Sequence, residues 1–409
     1  MTPAVRFKGF TDPWEQRKFS EVFSFLRNNT LSRAELSDSE GETRDVHYGD
    51  ILVRFGEVID VRRDELPRIA SDALAGGLSC QPLSNGDVII ADTAEDEAVG
   101  KCSELRGCGD YPIVSGLHTM ACRPEFEFAP GYLGYYMNSP AFHDQLLPLM
   151  QGIKVISVSK GAISDTEVCF PSLPEQKAIG ASLTELDNLI TLHQRTYDQL
   201  AVLKKALLDK MFPRDGAFVP EIRFVGFTDP WEQRKLGELA TKVTQKNGDM
   251  AVMETFTNSA EFGVVSQLDF FDHDIAKEES IGGYFVVQPE DFVYNPRISV
   301  TAPVGPINRN RLGRAGVMSP LYTVFRPGDA IDNAYLEHYF ETSGWHDFMQ
   351  LNGNSGARSD RFSISDSVFF EMPIPYPSMK EQVSIANALE SLDNLITLHL
   401  REPPAWLTL

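Results

Sequence analysis

Several things this chain lacks narrow its function before anything it contains. Its five cysteines, Cys80, Cys102, Cys108, Cys122 and Cys169, lie in the first half, and none forms a CxxC pair. An odd number at irregular spacing excludes a disulfide framework and a zinc cluster, leaving reduced thiols. The eight histidines include no HExxH pair. There is no GxxxxGK[ST] phosphate loop, since Gly100-Lys101 is followed by Cys102 and has no glycine at the required upstream position. No stretch approaches the about 18 consecutive apolar residues that suggest a membrane span. The N-terminus, MTPAVRFKGFTDPWEQRK, lacks the apolar core of a signal peptide, so a cytoplasmic location is expected. Positive charge is scarce as well. Lys and Arg number 37 against 58 Asp and Glu, for a net charge of −21. Bulk charge therefore argues against nucleic-acid binding, and any such contact has to be local.

What is present is a sound globular composition with an internal repeat. The 409 residues are 42% hydrophobic, enough to offset chain entropy, and the length suits two or three domains. The run GFTDPWEQRK occurs at Gly9 and again, identically, at Gly226, 217 positions later. A second pair follows 206 positions apart: PSLPEQKAIGASLTELDNLITLHQR from Pro171, and PSMKEQVSIANALESLDNLITLHLR from Pro377. Two units thus share one frame: GFTDPWEQRK, a variable stretch, then a helix containing LDNLITLH. The offsets are too long for a solenoid. The variable stretches, Phe23 to Phe170 and Leu239 to Tyr376, look unlike each other, which suggests two recognition surfaces held in one geometry. Thr-Asp-Pro is turn chemistry, so Trp14 and Trp231 are expected to anchor a turn by burial rather than to serve catalysis.

The repeated helix carries the clearest pattern. Ser172 with Glu175, and Ser378 with Glu381, fit the capping box. Leu183, Leu186, Ile190, His193, Tyr197 and Leu200 then follow at spacings of 3, 4, 3, 4 and 3, a heptad seam prolonged by Leu203, Leu207 and Met211. Pro213 ends it. About forty residues at 1.5 Å each make a helix on the order of 60 Å. The second copy repeats the seam at Ile385, Leu389, Leu392, Ile396 and His399, then meets Pro403-Pro404, so it is about half as long. The two helices are expected to pair antiparallel. His193 and His399 fall on the seam, where a polar residue commonly sets register. With the partner stopping near His399, Leu200, Leu203, Leu207 and Met211 are expected to lie exposed.

The inserts show short apolar runs between turns. Strands are expected at Asp50–Phe55, Asn85–Ile90 and Gly152–Ser157, then at Gly283–Gln288, Phe292–Asn295 and Leu321–Phe325. Helices are expected at Leu133–Met150, broken near Pro140, and at Asn333–Gln350. The class is mixed α/β. Asn295-Pro-Arg297 and Glu175-Gln-Lys177 faintly resemble methyltransferase and nuclease motifs, and both read as chance matches. Arg297, Arg309, Arg311, Arg314 and Arg326 lie between positions 295 and 326 with no acid among them. Gly353 to Arg361 adds Arg358 and Arg361, and Gln151 to Ser164 holds Lys154 and Lys160. These loops suit phosphate and base contact, or ordinary solvated surface.

Taken together, GFTDPWEQRK, the FPSLPEQ and YPSMKEQ helix starts and LDNLITLH resemble the DNA-specificity subunit of bacterial type I restriction–modification enzymes. The resemblance covers nearly the whole chain and implies two target-recognition domains on an antiparallel coiled coil with a pseudo-twofold internal repeat. It implies domains at 1–170 and 222–376, spacer helices at 171–212 and 377–400, a linker at 213–221 and a tail at 401–409. The implied role is non-catalytic: reading a bipartite site on double-stranded DNA and positioning methyltransferase and restriction (translocase) subunits. S-adenosylmethionine, ATP and Mg are implied on those partners, and no metal or cofactor on this chain. The DNA-contacting residues expected from the cationic loops are Lys154, Lys160, Arg297, Arg309, Arg311, Arg314, Arg358 and Arg361. The implied subunit interface is Leu183, Leu186, Ile190, Tyr197, Leu200, Leu389, Leu392 and Ile396. The competing class is a two-domain scaffold or ligand-binding protein on a coiled-coil spacer, without DNA or methyltransferase partners.

Overall fold

In the computed structural model, the described residues are 3–400 apart from 110, 215, 272–277 and 356–359. The chain packs as two compact units, Met1–Thr191 and Leu192–Leu409. The division falls inside the first long helix rather than at its start.

The frame of the first unit begins with β1 (Glu15–Lys18). Its central sheet uses β2 (Phe23–Phe25), β3 (Val58–Asp60), β4 (Val88–Ala91), β5 (Cys102–Arg106) and β6 (Thr119–Pro124), in the order β2-β6-β4-β5-β3. Only β3 and β5 pair in parallel among these strands. Val88 and Ile90 face one core with Phe19, Met137 and Phe142, while Ile89 and Ala91 face another with Ile51 and Leu105. Burial on both faces is why β4 reads as a continuous apolar run instead of alternating. Helix α1 (Tyr132–Asn138) covers the first core, and a separate turn of helix at Pro140–His143 gives the expected break. β7 (Glu167–Phe170) pairs antiparallel with β1 and leads into α2 (Leu173–Met211), 39 residues long.

The second unit repeats this plan. β8 (Glu232–Lys235) pairs with a late strand, as β1 does. β9 (Ala240–Lys242), β10 (Phe292–Tyr294), β11 (Ile307–Arg309) and β12 (Thr323–Pro327) form a sheet in the order β9-β12-β10-β11. That order matches β2-β6-β4-β5. Again one face, Phe292, Tyr294 and Phe325, enters the main core, while Val293 and Val324 enter a second. Helix α3 (Asn333–Glu341) lies where α1 does; β13 (Pro373–Tyr376) is the partner of β8, and α4 (Met379–Leu400) follows with 22 residues. The inserts that look unlike in sequence therefore share one sheet.

One ion pair joins the same two neighbouring inner strands of each sheet. Arg123, near the end of β6, donates to both oxygens of Asp87 at 2.8 and 2.6 Å. Arg326, near the end of β12, does the same to Asp291 at 2.6 and 2.8 Å. Both aspartates are buried and also accept a backbone N–H, from Ser84 and Gln288. The sequence signal was a short Asp-apolar-apolar run answered by Arg-Pro, which the differing insert lengths hide.

Four expectations change, the first being that Asn333–Gln350 is two helices, Asn333–Glu341 and His346–Asn352, rather than one. Asp50–Phe55 is not a strand but part of a helix, Tyr48–Val53, because the His47 ring accepts from the Gly49 N–H and starts a turn that buries Ile51. Within Gly152–Ser157 only Ile156–Ser157 is strand, since Ile153 and Val155 point into solvent. The exposed stretch of the long helix is the opposite one. In the second unit, α2 and α4 run antiparallel: His193 meets His399 with Nδ1 atoms 2.8 Å apart, Lys204 meets Asp393 at 2.6 Å, and Met211 shares a core with Ile385 and Leu389. A short antiparallel partner starts beside the end of its neighbour and stops at its middle. Met211 is buried, Leu200 and Leu207 are half-buried and Leu203 is exposed at 45%, while Leu186, Leu189, Ile190 and Leu192 stand open. Pro403 and Pro404 lie outside the described residues. No described helix is long and apolar enough to cross a membrane.

Candidate nucleic-acid interface

Each unit is clamped to its long helix by the repeated residues. Arg6 donates to both oxygens of Glu175, at 2.6 and 2.7 Å, and to the Asp12 carbonyl at 2.6 Å. In the second unit Arg223 donates to Glu381 at 2.7 and 2.9 Å and to the Asp229 carbonyl at 2.6 Å. The next residue repeats the arrangement. Gln176 accepts from the Ala129 N–H and donates to the Pro171 carbonyl, and Gln382 accepts from Asp332 and donates to Pro377. The glutamates were expected to reach back to their serines as capping boxes. Instead their oxygens are taken by arginines from the segments preceding GFTDPWEQRK, which run over the helix start. The Arg6 guanidinium holds the Glu175 carboxyl below the usual carboxylate range. Trp231, 3% exposed, packs against Phe212 and Tyr335, and Trp14 is half-buried on its own core. Glu175 and Gln176 are thus parts of a structural lock.

The cationic residues sort by what they touch. Arg309, its side chain 9% exposed, meets Glu290 at 2.9 Å, Glu337 at 2.6 Å and Glu390 at 3.5 Å. Arg311 shares Glu337 and Glu390. Arg314 pairs with Glu254 through two hydrogen bonds in the open. Among these acids Glu390 belongs to α4 and Glu337 to α3, so the arginines tie the helix to the sheet. Arg361 is half-buried, with a buried Nε that has no partner among the described residues. Arg358 lies outside the described residues. Lys154 is exposed on the projecting loop of the first unit, and Lys160 places its ammonium 5.4 Å above the Phe25 ring. Arg297 is exposed, and its guanidinium pairs with no acid among the described residues. We expect Arg309→Ala to lower the stability of the second unit by about 1–2 kcal/mol, because it takes the cation from Glu290 and leaves Glu337 and Glu390 with Arg311 alone. Arg314→Ala should barely move it, its pair being open to water. Thermal denaturation of the two variants checks this.

The seam residues divide too. Leu389 is buried and Leu392, Ile396, Tyr197 and Leu200 are half-buried within the second unit; in the first, Leu183 is half-buried, and Leu186 and Ile190 are exposed at 54% and 65%. His338, Glu341 and Asp393 gather their ligand atoms within 4.8 Å, but the Lys204 ammonium already meets Glu341 at 2.8 Å and Asp393 at 2.6 Å.

The clefts of the two units differ. In the first, a cleft of about 900 Å³ is walled by Arg62, Asn85, Arg106, Arg123 and Phe126. Its arginines face Asp60 and Asp87, with Arg62 on Asp60 at 2.8 Å and Arg106 at 3.3 Å. In the second, a cleft of about 450 Å³ is walled by Asn258, Gln267, Phe270, Arg297 and Tyr322. Asn295-Pro-Arg297 turns at its mouth, the Asn295 side chain accepting from the Arg297 N–H and donating to the Asn258 carbonyl. That role is local turn chemistry.

Residues 228–404 match the family of the type I restriction modification DNA specificity domain. The match lies within the second unit. Over the whole chain, the type I restriction enzyme MjaX specificity subunit of Methanocaldococcus jannaschii is 23% identical over 422 residues, covering 96% of this chain and 89% of that protein. The S subunit of a type I restriction–modification system from M. genitalium has the same fold, with a TM-score of 0.50 at 12% identity over 98% of this chain and 94% of its own. The HsdS subunit from Thermoanaerobacter tengcongensis gives a TM-score of 0.47 at 17% identity, over 95% and 91% of the two chains. The matched segment contains β8, the whole sheet and α4, and it begins just after the lock residue Arg223.

Proposed function

We propose that this chain is the non-catalytic DNA-specificity subunit of a type I restriction–modification complex. Each unit reads one short half of a bipartite site on double-stranded DNA, while the exposed stretch of α2 and the surface of α4 receive methyltransferase subunits. A restriction and translocase subunit completes the assembly, and S-adenosylmethionine, ATP and Mg reside on those partners. The observation that carries this reading is a duplicated frame with dissimilar clefts. The Arg–Glu lock, the Gln bridge and the sheet order recur in both units, while the clefts open at opposite ends of the shared strands and have different walls. A protein that needs one geometry and two specificities is built this way. The acidity of the chain fits a division of labour in which partner subunits supply much of the cationic clamp on the phosphates.

Co-expression with a cognate methyltransferase subunit, followed by mapping of methylated adenines, tests it, with an asymmetric bipartite motif as the expected result. Exchanging residues 23–166 for those of a relative leaves the β1–β7 ladder intact and should change one half of the motif. A change in both halves, or in neither, would sink the modular reading.

A further inference from the structure

The cleft of the second unit has one unanswered hydrogen-bond acceptor, and this singles it out. Gln267 is 9% exposed and held at both ends: its backbone N–H donates to the Thr255 carbonyl, and its Nε2 donates to the Phe256 carbonyl at 3.1 Å. Its Oε1 is buried and has no partner among the described residues. The amides and the Thr257 and Tyr322 hydroxyls beside it are occupied. Asn258 donates to the Val293 carbonyl and accepts from Asn308, Asn295 bonds Asn258 and Arg297, and Thr257 meets the Tyr322 hydroxyl at 3.1 Å. A buried amide oxygen left unpaired costs free energy that a bound donor would recover.

The rest of the cleft suggests what carries that donor. Phe270 and Tyr322 present rings along the wall, and Phe262, 62% exposed, stands against Phe270 with ring centroids 6.0 Å apart. Exposed aromatic faces beside a cation are stacking platforms for bases next to a phosphate. Arg297 supplies the cation. The volume of about 450 Å³ falls within the range of small-ligand sites.

We infer that this cleft takes an unstacked nucleobase, adenine or cytosine, whose amino group stands where guanine and thymine carry a carbonyl, with Gln267 Oε1 accepting from the amino N–H and Arg297 meeting the adjoining phosphate. The choice of a nucleobase rests on the specificity-subunit reading. The amino group is favoured because the atom of the Gln267 amide left without any partner among the described residues is the acceptor Oε1, whereas Nε2 is already held by the Phe256 carbonyl. Guanine and thymine present a carbonyl at the matching edge, which would face Oε1 lone pair to lone pair.

The test uses the full chain and labelled six-nucleotide single strands of deoxyadenosine, deoxycytidine, thymidine or deoxyinosine, followed by fluorescence anisotropy. The first two should bind at least about tenfold more tightly than the others, the discrimination a single good base contact gives. Gln267→Met should erase the preference and Arg297→Ala should weaken all four alike, with melting curves establishing that each variant is folded. Adenosine monophosphate as competitor separates the sources. Displacement at millimolar concentration identifies a free nucleotide as the occupant, and no displacement identifies a base within a strand. Equal binding of the four strands, no binding of any, or a preference that survives Gln267→Met overturns the proposal. Loss of the bipartite methylation motif with the preference intact would remove the specificity-subunit reading and leave the cleft a nucleobase site. A correct motif without the preference removes only the cleft assignment.

Discussion

Replacing Glu381 with Ala is expected to destabilise the second unit by about 3 kcal/mol, the cost of leaving one member of a buried ion pair without its partner. Glu381 is 1% exposed and the Arg223 side chain 13%, so little water is available to replace the two lost hydrogen bonds. For a unit of this size that corresponds to a fall of about 6–12 °C in its melting temperature. Glu381→Gln keeps one acceptor and should cost less. Changing both residues to Met should recover most of the loss, since a well-packed apolar pair of similar volume is often neutral against a buried salt bridge. Calorimetry on the three variants decides it, and an Ala variant that melts with the parent would show that the lock is ornamental. In the first unit, the Arg6–Glu175 pair gives a pH signature. Glu175 has its native pKa lowered, so its contribution is fully present above the unfolded value of about 4.3 and is lost as pH falls through the lower native value.

The opposite sign is expected at Asp45. Burial pushes its carboxyl up to about 6, against the opposing hydrogen bond from Asn29 at 2.6 Å, and its Oδ1 has no partner among the described residues. With an unfolded value near 3.9, the native state binds more protons between about pH 4 and 6. Stability of the first unit should therefore fall as pH rises through that window and stay lower above it, by about 3 kcal/mol in all. Asp45→Asn keeps the acceptor for Asn29 and removes the charge. It should raise the melting temperature at pH 7.5 and flatten the slope between pH 4 and 6. A variant whose pH profile overlays the parent's would show that Asp45 does not control that slope.

Much of the molecule was legible in the residues alone. The identical GFTDPWEQRK runs and the paired LDNLITLH helices gave the duplication, because a repeated frame must repeat its contacts. The heptad spacing gave the long helices and their antiparallel pairing, and the Pro140 break fell where a missing N–H puts it. Identity of sequence could not say which partner each polar residue would take. Glu175 and Glu381 sit in perfect capping-box spacing, yet a guanidinium arriving from 169 and 158 positions away binds both oxygens. Arg309 and Arg311 look like free cations because the acids that hold them lie up to 81 and 79 residues distant. The common sheet beneath the two inserts was hidden by unequal loops, although Asp87–Arg123 and Asp291–Arg326 mark it. Local spacing fixes periodicity and turn chemistry, which act over a few residues. Ion pairing, burial and the empty acceptor of Gln267 depend on groups brought together across the chain, so only the tertiary structure decided which charges are spent inside the protein and which remain for a ligand.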